Sequence, residues 1–289
     1  MDNVAIVRNK LGLRSDLMRC LLAEFTATAF LLFAGTSANA NYAFGGADCK
    51  ICVVFGWAFA IGLGAYAAGG ISGAHMNPAI SFAFYLCGRL SVLKFIMYSV
   101  AQTFGAFLGS LTTFFLYYDG INHLDGGIRQ TFGPKATIGI FVPWPQEYLS
   151  IAGCFVGTSL LSFCVMLLTE PRNKIPPVAR PMILSMTIVL VATCVSANTG
   201  GEVNPARDLG PKLMAIAVGY GWEVFSPREY KWFLIPIFVP FAGAAFGAWF
   251  YYLSLGIHLS DDKEKSDDRM EMNEMSRVPI GKSRISIAK

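Results

Sequence analysis

The sequence predicts an all-α membrane protein: six transmembrane helices and two shorter re-entrant half-helices, arranged in two halves that form an inverted repeat. Three observations predict it. Hydrophobic residues make up 54% of the 289-residue chain and charged residues only 15%, with a mean hydropathy of +0.49, whereas ordinary soluble domains carry about a quarter charged residues. Six apolar stretches are long enough to cross a bilayer. The triplet Asn-Pro-Ala occurs twice, each time opening an apolar piece too short to do so.

The chain starts with a polar segment, 1–16, carrying Arg8, Lys10 and Arg14. No small-residue cleavage site follows a short apolar core, so the first span is read as retained, not as a signal peptide. A span needs about 20 mostly apolar residues, and 17–38, 51–70, 91–118, 147–169, 178–198 and 232–257 qualify. The short pieces, 77–87 and 204–218, follow the second and fifth spans. One membrane domain, 17–257, is thus expected, with repeats at about 17–118 and 147–257. Three long spans per half is an odd number, so the halves must lie in opposite orientations. With the N-terminus inside, sixteen basic residues fall on the cytoplasmic side and six on the other (Lys50, Arg129, Lys135, Lys212, Arg228, Lys231). The positive-inside rule therefore places both termini in the cytoplasm, and the plasma membrane is the expected location. The tail, 258–289, mixes seven acids with seven bases and has almost no apolar content before Val278, the composition of a disordered segment.

Small residues recur four apart: Gly56, Ala60, Gly64 and Ala68; Ala101, Gly105 and Gly109; Gly153 and Gly157. In lipid such stripes let helix backbones approach closely, and packing is their whole meaning here. The seven cysteines lie mostly in apolar runs, where the thiol is a small hydrophobe. Cys49 and Cys52 have metal-type spacing, but no second pair completes the four ligands of a zinc site, and no cofactor is expected. The net charge of +4 is scattered, without the basic patch of a nucleic-acid partner.

Each short segment places Pro (Pro78, Pro205) at the first helical turn, where its missing N–H costs nothing, and Asn (Asn77, Asn204) at the N-cap. The cap uses the amide oxygen and leaves the NH₂ as a donor. Entering from opposite faces, the two helices bring their positive ends together near the midplane. The non-helical approaches, including Gly73-Ala74-His75-Met76 and Gly200, Glu202 and Val203, put carbonyls at membrane depth, which is tolerated where backbone lines a watery cavity or is buried. A pore lined by these loops is the expected consequence.

Ser72-Gly-Ala-His-Met-Asn-Pro-Ala79 and Asn204-Pro-Ala-Arg-Asp-Leu-Gly-Pro-Lys212 resemble the two signatures of the aquaporin family, and the likeness spans about 17–257. Asp208 and Lys212 are similar to the glycerol-conducting branch, as are Pro236-Ile237 in the sixth span and Phe114 in the third. The resemblance implies a passive channel for glycerol, water and other small neutral solutes such as urea, with a water-selective channel as the alternative. It also implies a homotetramer in the lipid bilayer. Family spacing puts the selectivity filter at Trp57, Ala192, Gly201 and Arg207, and a small Ala and a Gly there imply a wide ring with Trp57 as an apolar wall opposite the Arg207 donor. Glu24 matches the family's buried loop brace, while its counterpart in the second half falls on Cys154. Glu202 is read as facing water at the outer mouth, with an ion pair to Arg207 as the alternative. His75 is read as a loop brace lining the pore, not as a titrating gate. An ion-coupled transporter would need intramembrane carboxylates beyond Glu24 and the mouth residues, and no hydrolase or metalloprotease motif supports an enzyme.

Overall fold

In a computed structural model, residues 2–46, 49–145, 148 and 150–260 are described. Among them there is no strand, and six helices are long and apolar enough to cross a membrane. A short polar helix, α1 (Asn3–Leu11), was not expected from the sequence; Asp2 caps it through Val4 N at 3.1 Å. Then come α2 (Asp16–Ala43), α3 (Lys50–Ser72), the half-helix α4 (Pro78–Leu86), α5 (Val92–Leu116), and α6 (Tyr118–Asp125) in the long connection between the halves. The second half runs α7 (Ile151–Thr169), α8 (Arg180–Thr199), the half-helix α9 (Pro205–Ala217) and α10 (Leu234–Ser254). The disordered tail expected from composition lies almost wholly outside the described residues.

The repeat is visible in the packing. A Cβ on Gly105 or Gly109 of α5 would collide with the carbonyls of Phe25 and Ala29 on α2. A Cβ on Gly243 or Gly247 of α10 would collide with those of Phe155 and Ser159 on α7. The same four-residue period thus clamps α2 to α5 and α7 to α10, as close packing in lipid requires. Some hydroxyls inside the bundle are satisfied locally: Thr28, Thr158 and Thr187 each donate to the carbonyl four residues back. The outward faces carry large apolar side chains such as Phe104, Phe115, Phe238 and Phe246.

Lys212 is not an outer surface charge. It is buried, with its Nζ 2.6 Å from Asp208 Oδ2 one helical turn back. The imbalance of basic residues between the two sides is therefore larger than a count along the sequence gives.

Candidate functional site

The half-helices start as the sequence requires. Asn77 Oδ1 accepts from Ala79 N at 2.9 Å, and Asn204 Oδ1 from Ala206 N at 3.0 Å and Arg207 N at 3.3 Å. The two amide NH₂ groups do more than face a lumen. Asn77 Nδ2 donates to the Val203 carbonyl at 2.9 Å and Asn204 Nδ2 to the Met76 carbonyl at 2.8 Å. Each cap thus grips the residue preceding the other cap, and one N–H of each amide is left for a permeant. This reciprocal lock is invisible in sequence because it joins residues 126 and 128 apart.

Two cavities meet at this lock. One of about 570 Å³ is lined by Trp57, Ala192, Gly200, Gly201, Val203, Asn204 and Arg207. The other, of about 440 Å³, is lined by Gly73, Ala74, His75, Phe84, Arg89 and Arg180. Both are bounded by Ile61, Asn77 and Leu161. At the far end of the second cavity, Arg89 donates to Thr169 Oγ1 and to its carbonyl, at 2.9 and 3.0 Å. Just beyond the membrane span there, the Arg172 guanidinium holds the Glu170 carboxyl below the usual carboxylate range.

The four residues assigned to a constriction do line one cavity, but their arrangement differs from the expectation. The Arg207 guanidinium carbon lies 4.7 Å from the Trp57 ring centroid, a cation–π separation that leaves no room for a solute between them. Wall and donor adjoin on one side instead of standing opposite. Both are fixed from behind: Arg207 Nη1 donates to the Phe141 carbonyl at 3.1 Å, Trp57 Nε1 to Asn39 Oδ1 at 3.1 Å, and Asn39 Nδ2 to the Ile140 carbonyl at 2.9 Å. Ala192 is half-buried on α8. Gly201 has a φ of +90° and open space where a Cβ would stand, so its small size is matched by a backbone that disfavours any side chain.

Several expected lining residues lie elsewhere. The Met76 side chain is fully buried in the apolar cluster between α2 and α3, and only its backbone takes part: the carbonyl accepts from Asn204 and the N–H donates to Glu24. Glu202 does not face water at the mouth. It is fully buried, and no ion pair links it to Arg207; its carboxylate accepts from Trp232 Nε1 at 2.9 Å and from Cys154 Sγ at 3.3 Å. The solvated reading fails because two donors wait inside the protein, one of them on an element 30 residues away. Phe114, Asp208, Lys212 and Pro236 are buried structural residues, and neither they nor Ile237 bound either cavity. His75 is both braced and at the cavity wall: its N–H donates to Glu24 at 2.9 Å and its ring stacks on Phe84.

Six spans, an inverted repeat and two half-helices locked end to end between facing cavities define a multi-pass membrane channel. The family comparison agrees: residues 13–251 match the model described as major intrinsic protein, and the chain belongs to this family, that of the aquaporins. It is similar to aquaporin-2 of Milnesium tardigradum, at 36% identity over all of this chain and 90% of that protein. Human aquaporin-9 is 36% identical over 94% of this chain and 96% of its own length. Among solved structures, the aquaglyceroporin from Plasmodium falciparum superposes with a TM-score of 0.71 at 25% identity, covering 81% of this chain and 95% of that one.

Proposed function

We propose that this chain is a passive channel of the aquaglyceroporin type, conducting water, glycerol and other small neutral solutes such as urea down their gradients. No cofactor and no covalent step are involved. The observation that carries the reading is the pair of cavities joined at Asn77, with Arg207 and the spare Asn77 and Asn204 N–H groups as donors beside Ile188, Val191, Ala192 and Val203. A polyol has hydroxyls along one edge and CH groups along the other, and this lumen offers donors and apolar surface together. Trp57, Ala192, Gly201 and Arg207 are the proposed filter; Gly73, Ala74, His75, Gly200 and Val203 line the path. Similarity to the aquaglyceroporin from Plasmodium falciparum supports the glycerol reading.

We propose the plasma membrane with both termini on its cytoplasmic side, a reading supported by the basic residues gathered on the side of the termini. A homotetramer is supported by small residues such as Ala67 and Gly70 on the outward face of α3, where another helix can approach closely. The test is stopped-flow light scattering of proteoliposomes. Under an inward glycerol gradient they should shrink and then reswell faster than protein-free vesicles, and under an impermeant sugar only shrink. Fast shrinkage without accelerated reswelling would make the protein a water-selective channel.

A further inference from the structure

The two loops that enter the bilayer are held by unlike means. In the first half, Glu24 reaches from α2 into the loop: its Oε1 accepts from Ser72 Oγ at 2.6 Å and His75 N at 2.9 Å, its Oε2 from Met76 N and Gln102 Nε2, both at 2.8 Å. The glycine contacts fix the equivalent residues of the second half. Gly105 meets Phe25 and Gly243 meets Phe155, so Glu24 corresponds to Cys154, and Gln102, three before Gly105, to Pro240, three before Gly243. Thr28 and Thr158 agree, each donating at 2.7 Å to the carbonyl of that position. Counting back from Asn77 and Asn204, His75 corresponds to Glu202.

Both carriers of the first brace, carboxylate and amide, are therefore missing from their second-half positions. A thiol and a proline stand there. The carboxylate that fills the space comes from the loop itself: Glu202 points at the small Cys154, takes its S–H, and takes the indole N–H of Trp232 from the segment leading into α10. We infer that Glu202 is the brace of the second re-entrant loop, a positioning residue that holds Asn204 and Arg207 by anchoring the loop to α7 and to Trp232. The carboxylate has moved from the helix position, held by Glu24 in the first half, to the loop position, where the first half has His75. A buried carboxylate is tolerated when donors meet it, and here they lie on two different elements. The loop two residues before Asn204 and five before Arg207 is thereby fixed. Arg228, 4.3 Å from the Trp232 ring centroid, covers that anchor.

The inference rests on the channel reading, and wild-type flux tests that reading by itself. Glu202→Ala is compared with wild type and with the relocated pair Glu202→Ala/Cys154→Glu, at equal amounts of reconstituted protein. The single variant should lose about fivefold or more of its water flux, the scale of removing one buried charge-assisted contact. Its glycerol-to-water ratio should also shift, since a displaced Arg207 alters the filter and not only the amount of folded channel. The relocated pair should return both quantities toward wild type. Wild-type flux and ratio in Glu202→Ala, or no recovery in the pair, would overturn the inference. Should Glu202→Ala yield no reconstitutable protein, Glu202→Gln and Trp232→Phe decide: each weakens the anchor without emptying it and should shift the ratio, and an unchanged ratio in both overturns it.

Discussion

Ala192 and Gly201 both leave the proposed filter open, but only one can be refilled without strain. Ala192 sits in regular helix on α8 and lines the cavity, so Ala192→His adds bulk and a donor at little backbone cost. Glycerol flux should fall by about tenfold or more while water flux stays within about twofold, because the restriction is set by pore diameter. Stopped flow on matched proteoliposomes measures both, and an unchanged glycerol-to-water ratio would remove Ala192 from the filter. At Gly201 the φ of +90° makes any side chain cost about 1–3 kcal/mol. Gly201→Phe should therefore lower the melting temperature in detergent well below that of Ala192→His, before any effect on selectivity can be read. At the midplane, Asn204→Asp removes the donor to the Met76 carbonyl and sets a carboxylate against it. It should destabilise the channel by about 1–3 kcal/mol, seen as a lower melting temperature, and Asn204→Ala, which loses the cap bonds to Ala206 and Arg207 along with the donor, should lower it by a similar amount.

Half-helix α9 carries its own buried ion pair. Lys212 and Asp208 are one turn apart with side chains 4% and 0% exposed. Removing one partner leaves an uncompensated charge at a cost of about 3–5 kcal/mol, whereas replacing both with apolar groups is often neutral. Lys212→Met should thus collapse the yield of folded protein in size-exclusion chromatography, and Asp208→Leu/Lys212→Met should restore it; equal yields for the two would show that the pair is not energetically coupled. The existence of α9, its proline start and its Asn cap were all legible in the sequence, as were the six spans, because length, apolarity and capping are local properties. The reciprocal Asn lock and the burial of Glu202 were not. Both depend on which residues two distant loops bring together, and nothing local to Glu202 distinguishes a carboxylate in water from one met by Trp232 and Cys154. The stacking of Trp57 against Arg207 escaped for the same reason: spacing assigns residues to a ring but not to a side of it.

At the scale of the whole molecule, the inverted repeat converts two ordinary helix starts into a barrier. Because α4 and α9 enter from opposite sides and each cap bonds the residue preceding the other, both positive ends act on the same point of the path. Arg207 adds a full charge farther along the same cavity. A cation or proton therefore meets opposition at two depths, while a neutral molecule meets only donors and apolar wall. In vesicles loaded with a pH-sensitive dye, a pH jump should produce no proton entry above that of protein-free vesicles, even where water and glycerol flux are fast. Arg207→Leu separates the two depths. It should raise glycerol flux through the widened filter and admit protons only modestly, because the half-helix field stays in place. A proton flux in wild type above background would contradict the convergent-dipole geometry. Proton entry in Arg207→Leu that rises as steeply as its glycerol flux would assign the whole barrier to the guanidinium and none to the helices.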